Sequence, residues 1–141
     1  MTVRYLLEQK GRDVWTIGPD ATVFDALARM AEKDVGSLIV MDGEKLVGIV
    51  TERHYSRNVI LNGKTSPTTL VSDIMERDVI HVRLEHSVEI CMALMTEKRV
   101  RHLPVLEGQK VVGIVSIGDL LKSIISKQKF VIDELEHYIH G

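Results

Sequence analysis

The stretch Val112-Gly113-Ile114-Val115-Ser116-Ile117-Gly118-Asp119 organises the chain, because Val47-Gly48-Ile49-Val50-Thr51 stands 65 residues before it. The same offset, without a gap, pairs Val14 with Val79, Val23 with Val88, Met30 with Met95 and Glu32-Lys33 with Glu97-Lys98. It also pairs Val35 with Val100, Leu38 with Leu103, Val40 with Val105 and Gly43 with Gly108. Self-similarity at a fixed period marks a duplicated unit. Two stretches sharing only a hydrophobic rhythm would not keep glycines in register, since a glycine answers a backbone demand.

Each copy reads as β-α-β-β-α. A short strand (Val14–Ile17; Val79–Val82) leads to a helix. Val23, Ala26, Leu27, Met30 and Ala31 recur along one helical face, as do Val88, Cys91, Met92 and Met95. Thr22 and Ser87 stand at the N-cap positions, where a hydroxyl accepts from a free amide of the first turn. An apolar strand (Leu38–Met41; Leu103–Leu106) then turns at Asp42-Gly43 or Glu107-Gly108. A second strand follows (Leu46–Val50; Val111–Val115), and a helix starts near Thr51 or Ser116. The expected fold class is mixed α/β, two motifs packed as a pseudo-two-fold pair. The continuous apolar runs predict strands buried on both faces.

The division expected is 1–70 for the first motif with a leading helix (Val3–Gln9) and connector, 71–125 for the second motif, and 126–141 for a helical tail. The connector Asn58–Leu70 is rich in turn formers, and Val71–Met75 reads as one or two helical turns entering the second copy. The tail carries Phe130, Ile132, Leu135, Tyr138 and Ile139 among acids. It is expected to dock on its own chain, or else on a second subunit.

Composition limits the function classes. With 45% hydrophobic and 27% charged residues, the 141-residue chain has a globular balance. A net charge of −2 argues against a polyanion-binding surface, so no nucleic-acid role is expected. The apolar runs fall short of a membrane span, and no signal peptide is read at the start. A single cysteine, Cys91, fits a reducing cytoplasm, and its place on an apolar helical face marks an inert buried thiol. Gly63-Lys64-Thr65 lacks the first glycine and the preceding strand of a phosphate loop. The histidines are dispersed, so no metal is expected. No catalytic constellation is present, and no enzyme is expected.

The chemistry concentrates after the last strand of each copy. Ser116 and Asp119 lie at one helix N-terminus, whose free amides and partial positive charge suit an anion such as phosphate. A carboxylate there can accept from both hydroxyls of a ribose. The same Ser-x-x-Asp spacing also describes a capping box, in which Asp119 only satisfies the helix start. In the first copy Thr51 holds the hydroxyl position, but His54 holds that of the acid, and a neutral imidazole offers one acceptor. Arg53 and Arg57, one turn apart, form either a phosphate-binding pair or a solvated basic face. Protonated His54 would add charge toward a phosphate.

Arg101-His102-Leu103-Pro104-Val105 before the second hairpin and Gly-Ile-Val-Ser-x-x-Asp after it resemble the CBS (cystathionine-β-synthase type) domain. Two such units resemble a CBS pair, or Bateman module, over roughly Val3 to Lys122. Gly48-Ile49-Val50-Thr51-Glu52-Arg53 and Leu135-Glu136-His137-Tyr138 look like the stand-alone bacterial members. The resemblance implies a cytoplasmic regulatory module that binds AMP, ATP, NAD(H) or S-adenosylmethionine between its motifs and signals to a partner protein. It implies Ser116 and Asp119 on the ribose, backbone groups of Val82 and Leu103 toward the adenine, and Arg101 and His102 near phosphate. In the first copy it implies Thr51, with the backbone of Ile17 and Leu38 and the side chain of Ser37 lining a cleft. A homodimer is implied by the same analogy. A structural dimerisation module with an empty cleft is the alternative.

Overall fold

The computed structural model describes residues 1–140, and the duplication is visible in nearly every element. The chain runs α1 (Val3–Lys10), β1 (Thr16–Ile17), α2 (Val23–Lys33), β2 (Ser37–Asp42), β3 (Lys45–Thr51) and α3 (Glu52–Tyr55). A π-helical turn (Ser56–Ile60) follows. Then come α4 (Val71–Ile74), α5 (Val88–Lys98), β4 (His102–Glu107), β5 (Lys110–Ser116) and α6 (Ile117–His140). The N-caps are those expected: Thr22 Oγ1 accepts from Asp25 N and Ser87 Oγ from Ile90 N, each at 3.1 Å. Both equivalent helices stop on a left-handed residue, Asp34 (φ 54°) and Arg99 (φ 55°). Both hairpins turn on a glycine at φ 64°, Gly43 and Gly108, where a side chain would be strained.

β2 and β3 pair antiparallel, and β1 adds parallel to β2 through Thr16 and Ile17. β4 and β5 repeat the hairpin, with the irregularity at Val105/Leu106 matching that at Val40/Met41. The expected strand over Val79–Val82 is reduced to one parallel bridge between Val82 and Val105. Its first-copy equivalent, Val14–Ile17, is likewise a strand only at Thr16–Ile17. Both faces of β2 and β4 are covered, since each has four consecutive buried residues.

The leading segments cross over. Val3, Leu6 and Leu7 of α1 belong to the apolar core of the second copy, with Val82, Val88, Leu103 and Val115. Val71, Ile74 and Met75 belong to the core of the first, with Val23, Leu38 and Val50. The hydrogen bonds repeat with the exchange: Val3 N to His86 O and Val71 N to Ala21 O, each 2.8 Å. The two register glycines take their reason from this. A Cβ on Gly113 would lie 2.7 Å from Leu7 Cδ1, and one on Gly48 would lie 2.7 Å from Met75 Sδ and 2.9 Å from Glu76 O. The leading helix thus packs into the core of the second motif and α4 into that of the first, across the division of the chain at residues 70 and 71.

The tail also differs from expectation. α6 is one helix of 24 residues, running from the second corner through the whole tail. From Phe130 to Ile139 its apolar side chains are exposed on the single chain, so the tail is not docked on its own body.

Candidate functional site

The second corner is built around Asp119. Asp119 Oδ2 accepts from Ser116 N at 2.8 Å, and Ser116 Oγ accepts from Asp119 N at 3.2 Å. That is a capping box, which satisfies two amides at the start of α6. A cation completes it: Lys10 Nζ, at the end of α1, donates to the same Oδ2 and to Ile114 O, each at 2.7 Å. Among the described residues the other carboxylate oxygen accepts no hydrogen bond. Burial pulls the Asp119 carboxyl upward. The Lys10 hydrogen bond and charge, with the Ser116 amide and hydroxyl, outweigh it and hold it below its ordinary value.

The first corner repeats the geometry with another acceptor. His54 Nδ1 accepts from Thr51 N at 3.1 Å, and Thr51 Oγ1 accepts from His54 N at 3.3 Å. The single imidazole acceptor is therefore used by the cap. Burial lowers the His54 pKa; Glu76 opposes that, and Arg53 and Arg57 add to it. Protonation at Nδ1 would also break the bond to Thr51. Both the burial and this bond favour the neutral ring over the charged His54 expected to face a phosphate.

The remaining residues divide between core and cleft. Leu38, Val82 and Leu103 are fully buried in the two cores, Ser37 is buried and Ile17 is half-buried. The Val82 amide donates to Pro104 O at 3.0 Å and its carbonyl accepts from Leu106 N at 2.9 Å, so both backbone groups are engaged. His102 joins the copies: its ring lies 3.8 Å from where a Cβ on Gly36 would be. Burial lowers its pKa against the pull of Asp119, with Lys10 and Arg101 acting in the same direction as burial.

Arg53 and Arg101 meet at a cleft of about 330 Å³ that spans both copies. It is lined by Arg53 from the first copy, Arg99 and Arg101 from the second, and Met95, Thr96, Val100 and Ile117. Arg53 Nη1 donates to Arg99 O at 3.4 Å across the junction. Ile117, next to Ser116 in the chain, borders this cleft, but neither Ser116 nor Asp119 lines it. Arg57 lies in the π-helical turn and does not line it. A wider groove of about 1520 Å³ opens at the hairpin end, between Gly43 and Gly108. Its lining mixes acids and bases and includes no residue of either corner. The smaller cleft is the better candidate, because its charge has one sign and it adjoins a helix start. Sequence reasoning missed Lys10 and Arg99. Lys10 stands 109 residues from Asp119 and carries no local signal. Arg99 is the left-handed helix end, which no propensity assigns to arginine.

Comparison with known proteins agrees with this architecture. The CBS domain matches residues 11–60 and 71–126. The mitochondrial CBS domain-containing protein CBSX3 of Arabidopsis thaliana is 36% identical over 150 residues, 99% of this chain and 72% of that protein. A CBS-domain protein of Burkholderia ambifaria is 47% identical, with a TM-score of 0.88 over 91% of this chain and 96% of that one. The CBS domain pair of MJ0100, solved in complex with 5′-methylthioadenosine and S-adenosyl-L-methionine, is 24% identical, a likeness of fold. It reaches a TM-score of 0.79 over 90% of this chain and 98% of that one. Among the described residues no helix is long and apolar enough to cross a membrane.

Proposed function

Because this chain belongs to the CBS-domain family and carries two CBS motifs in tandem, we propose that it is a non-catalytic regulatory module for an adenosine-containing ligand. AMP, ATP and NAD are the candidate ligands. The observation that carries the reading is the three-arginine cleft bordered by Ile117, two residues before Asp119, whose second carboxylate oxygen accepts no hydrogen bond among the described residues. Guanidinium groups fit phosphate oxygens, and the free Asp119 oxygen suits a sugar hydroxyl. The volume is near the lower end for small-molecule sites. The Ser116–Asp119 pair both caps α6 and offers this acceptor; the two roles use different oxygens. Support from the fold comes from MJ0100, whose CBS pair holds two adenosine compounds.

Ligand bridging Arg53 of one copy and Arg99 and Arg101 of the other favours one arrangement of the copies, and a partner protein reads that surface. The module acts as a cytoplasmic homodimer. Thermal unfolding with AMP, ATP, NAD and S-adenosylmethionine is the direct test. A ligand selective for the folded state raises the melting temperature by mass action. Asp119→Ala and Arg101→Ala should each abolish most of that rise. No rise with any of the four, from a protein that remains dimeric, would favour the purely structural reading.

A further inference from the structure

One face of α6, from Leu121 to Ile139, carries an apolar seam that the single chain leaves uncovered. Leu121, Ile125, Gln128, Ile132, Leu135 and Ile139 follow one another at spacings of four, three, four, three and four. This is the alternation of one helix facing another. The five apolar members are between 48% and 72% exposed. An exposed apolar stripe of this extent marks an interaction surface. Beyond Asp119 in its first turn, charge divides along the same helix: Lys122, Lys127 and Lys129, then Asp133, Glu134 and Glu136.

We infer that this seam pairs antiparallel with the same seam of a second copy of the chain. The order is symmetric about residue 130, so an antiparallel copy sets Leu121 against the partner's Ile139, Ile125 against the partner's Leu135, and Gln128 against the partner's Ile132. Lys122 then faces the partner's Glu136, twice by symmetry. Only Lys129 meets its own counterpart, and Asp133 one turn on offsets it. Parallel pairing would lay base on base, acid on acid, and Gln128 on Gln128. The contact is isologous and closed, as a two-fold dimer requires. From Leu121 to Ile139 it runs about 27 Å. This inference rests on the dimeric part of the proposed function and names its surface; it does not depend on the ligand.

Sedimentation velocity of the full chain tests it. Lys122→Glu should raise the dimer dissociation constant roughly tenfold, and Lys122→Glu with Glu136→Lys should restore it. In a second variant, Ile125→Cys with Leu135→Cys, mild oxidation should link position 125 of one chain to position 135 of the other, read by peptide mass. A disulfide joining 125 to 125 and 135 to 135 would overturn the antiparallel arrangement. A dimer indifferent to both charge changes and uncross-linked by oxidation would overturn the surface but leave the dimer, moving the interface elsewhere, for instance to exposed Phe24 and Ile90. A monomer at every concentration would overturn both.

Discussion

The two corners share a shape and differ in chemistry. Thr51 with His54 and Ser116 with Asp119 make the same reciprocal bonds, within about 0.3 Å of each other. An imidazole spends its only acceptor on the cap, whereas a carboxylate closes the cap with one oxygen and keeps another. The surroundings diverge too: Asp119 faces Lys10, while His54 faces Glu76, Arg53 and Arg57. The helices that follow differ most, four residues of α3 against 24 of α6. A duplicated scaffold can thus hold its geometry through an exchange of residue type that removes a hydrogen-bond acceptor.

The largest expected contrast lies beneath the corners. Gly48→Ala should cost about 3 kcal/mol or more, because its methyl would strike the Glu76 carbonyl as well as Met75. Gly113→Ala should cost about 1–2 kcal/mol, since it meets only Leu7, whose side chain can turn. Urea midpoints read the difference, and equal losses would mean that the two junctions yield alike. Asp119→Ala comes next. Loss of a cap and of an ion pair with side chains 28% and 23% exposed should cost about 1–2 kcal/mol. His54→Ala should cost about 1 kcal/mol or less, having a cap but no ion pair to lose.

A third variant sharpens the comparison by converting one corner into the other. On the proposed nucleotide-binding reading, His54→Asp should add an AMP site in calorimetry, the weaker one because Glu76 stands nearby. An unchanged stoichiometry would assign the difference to Lys10 rather than to the carboxylate. The smallest effect is pH dependence. Burial lowers the pKa of His54 and His102 in the folded state, so the unfolded chain binds protons more readily. Their contribution to stability is full above the ordinary imidazole value, about 6.5, and is lost as pH falls below it. The melting temperature should decline between pH 7 and pH 5, and His54→Gln with His102→Gln should flatten that decline.

Much of this was legible in the chain because its signals are local or periodic. The offset of 65 residues set the hairpins, both long core helices and both corners, and Thr22 and Ser87 marked helix starts. The crossover was hidden by a change of offset: Val3 and Leu7 correspond to Val71 and Met75, 68 residues apart. Lys10 on Asp119 was hidden by distance along the chain. The strand before α5 failed because only Val82 finds a bridge, and a lone bridge leaves no periodicity to read. At the corner the spacing could not separate a cap from an acceptor, since the carboxylate serves as a cap with one oxygen only.

The exchange of leading segments has a consequence for how the molecule comes into being. During synthesis the first copy lacks its own floor until Val71–Met75 emerges, while α1, made first of all, must wait for the second copy before it has anywhere to settle. Neither half is a separable piece: cutting the chain in the connector would leave each fragment holding a part that fits only its sibling. Removing the first ten residues would strip the shelter from a core that begins some seventy residues later, so damage at one end of this chain is felt in the other half.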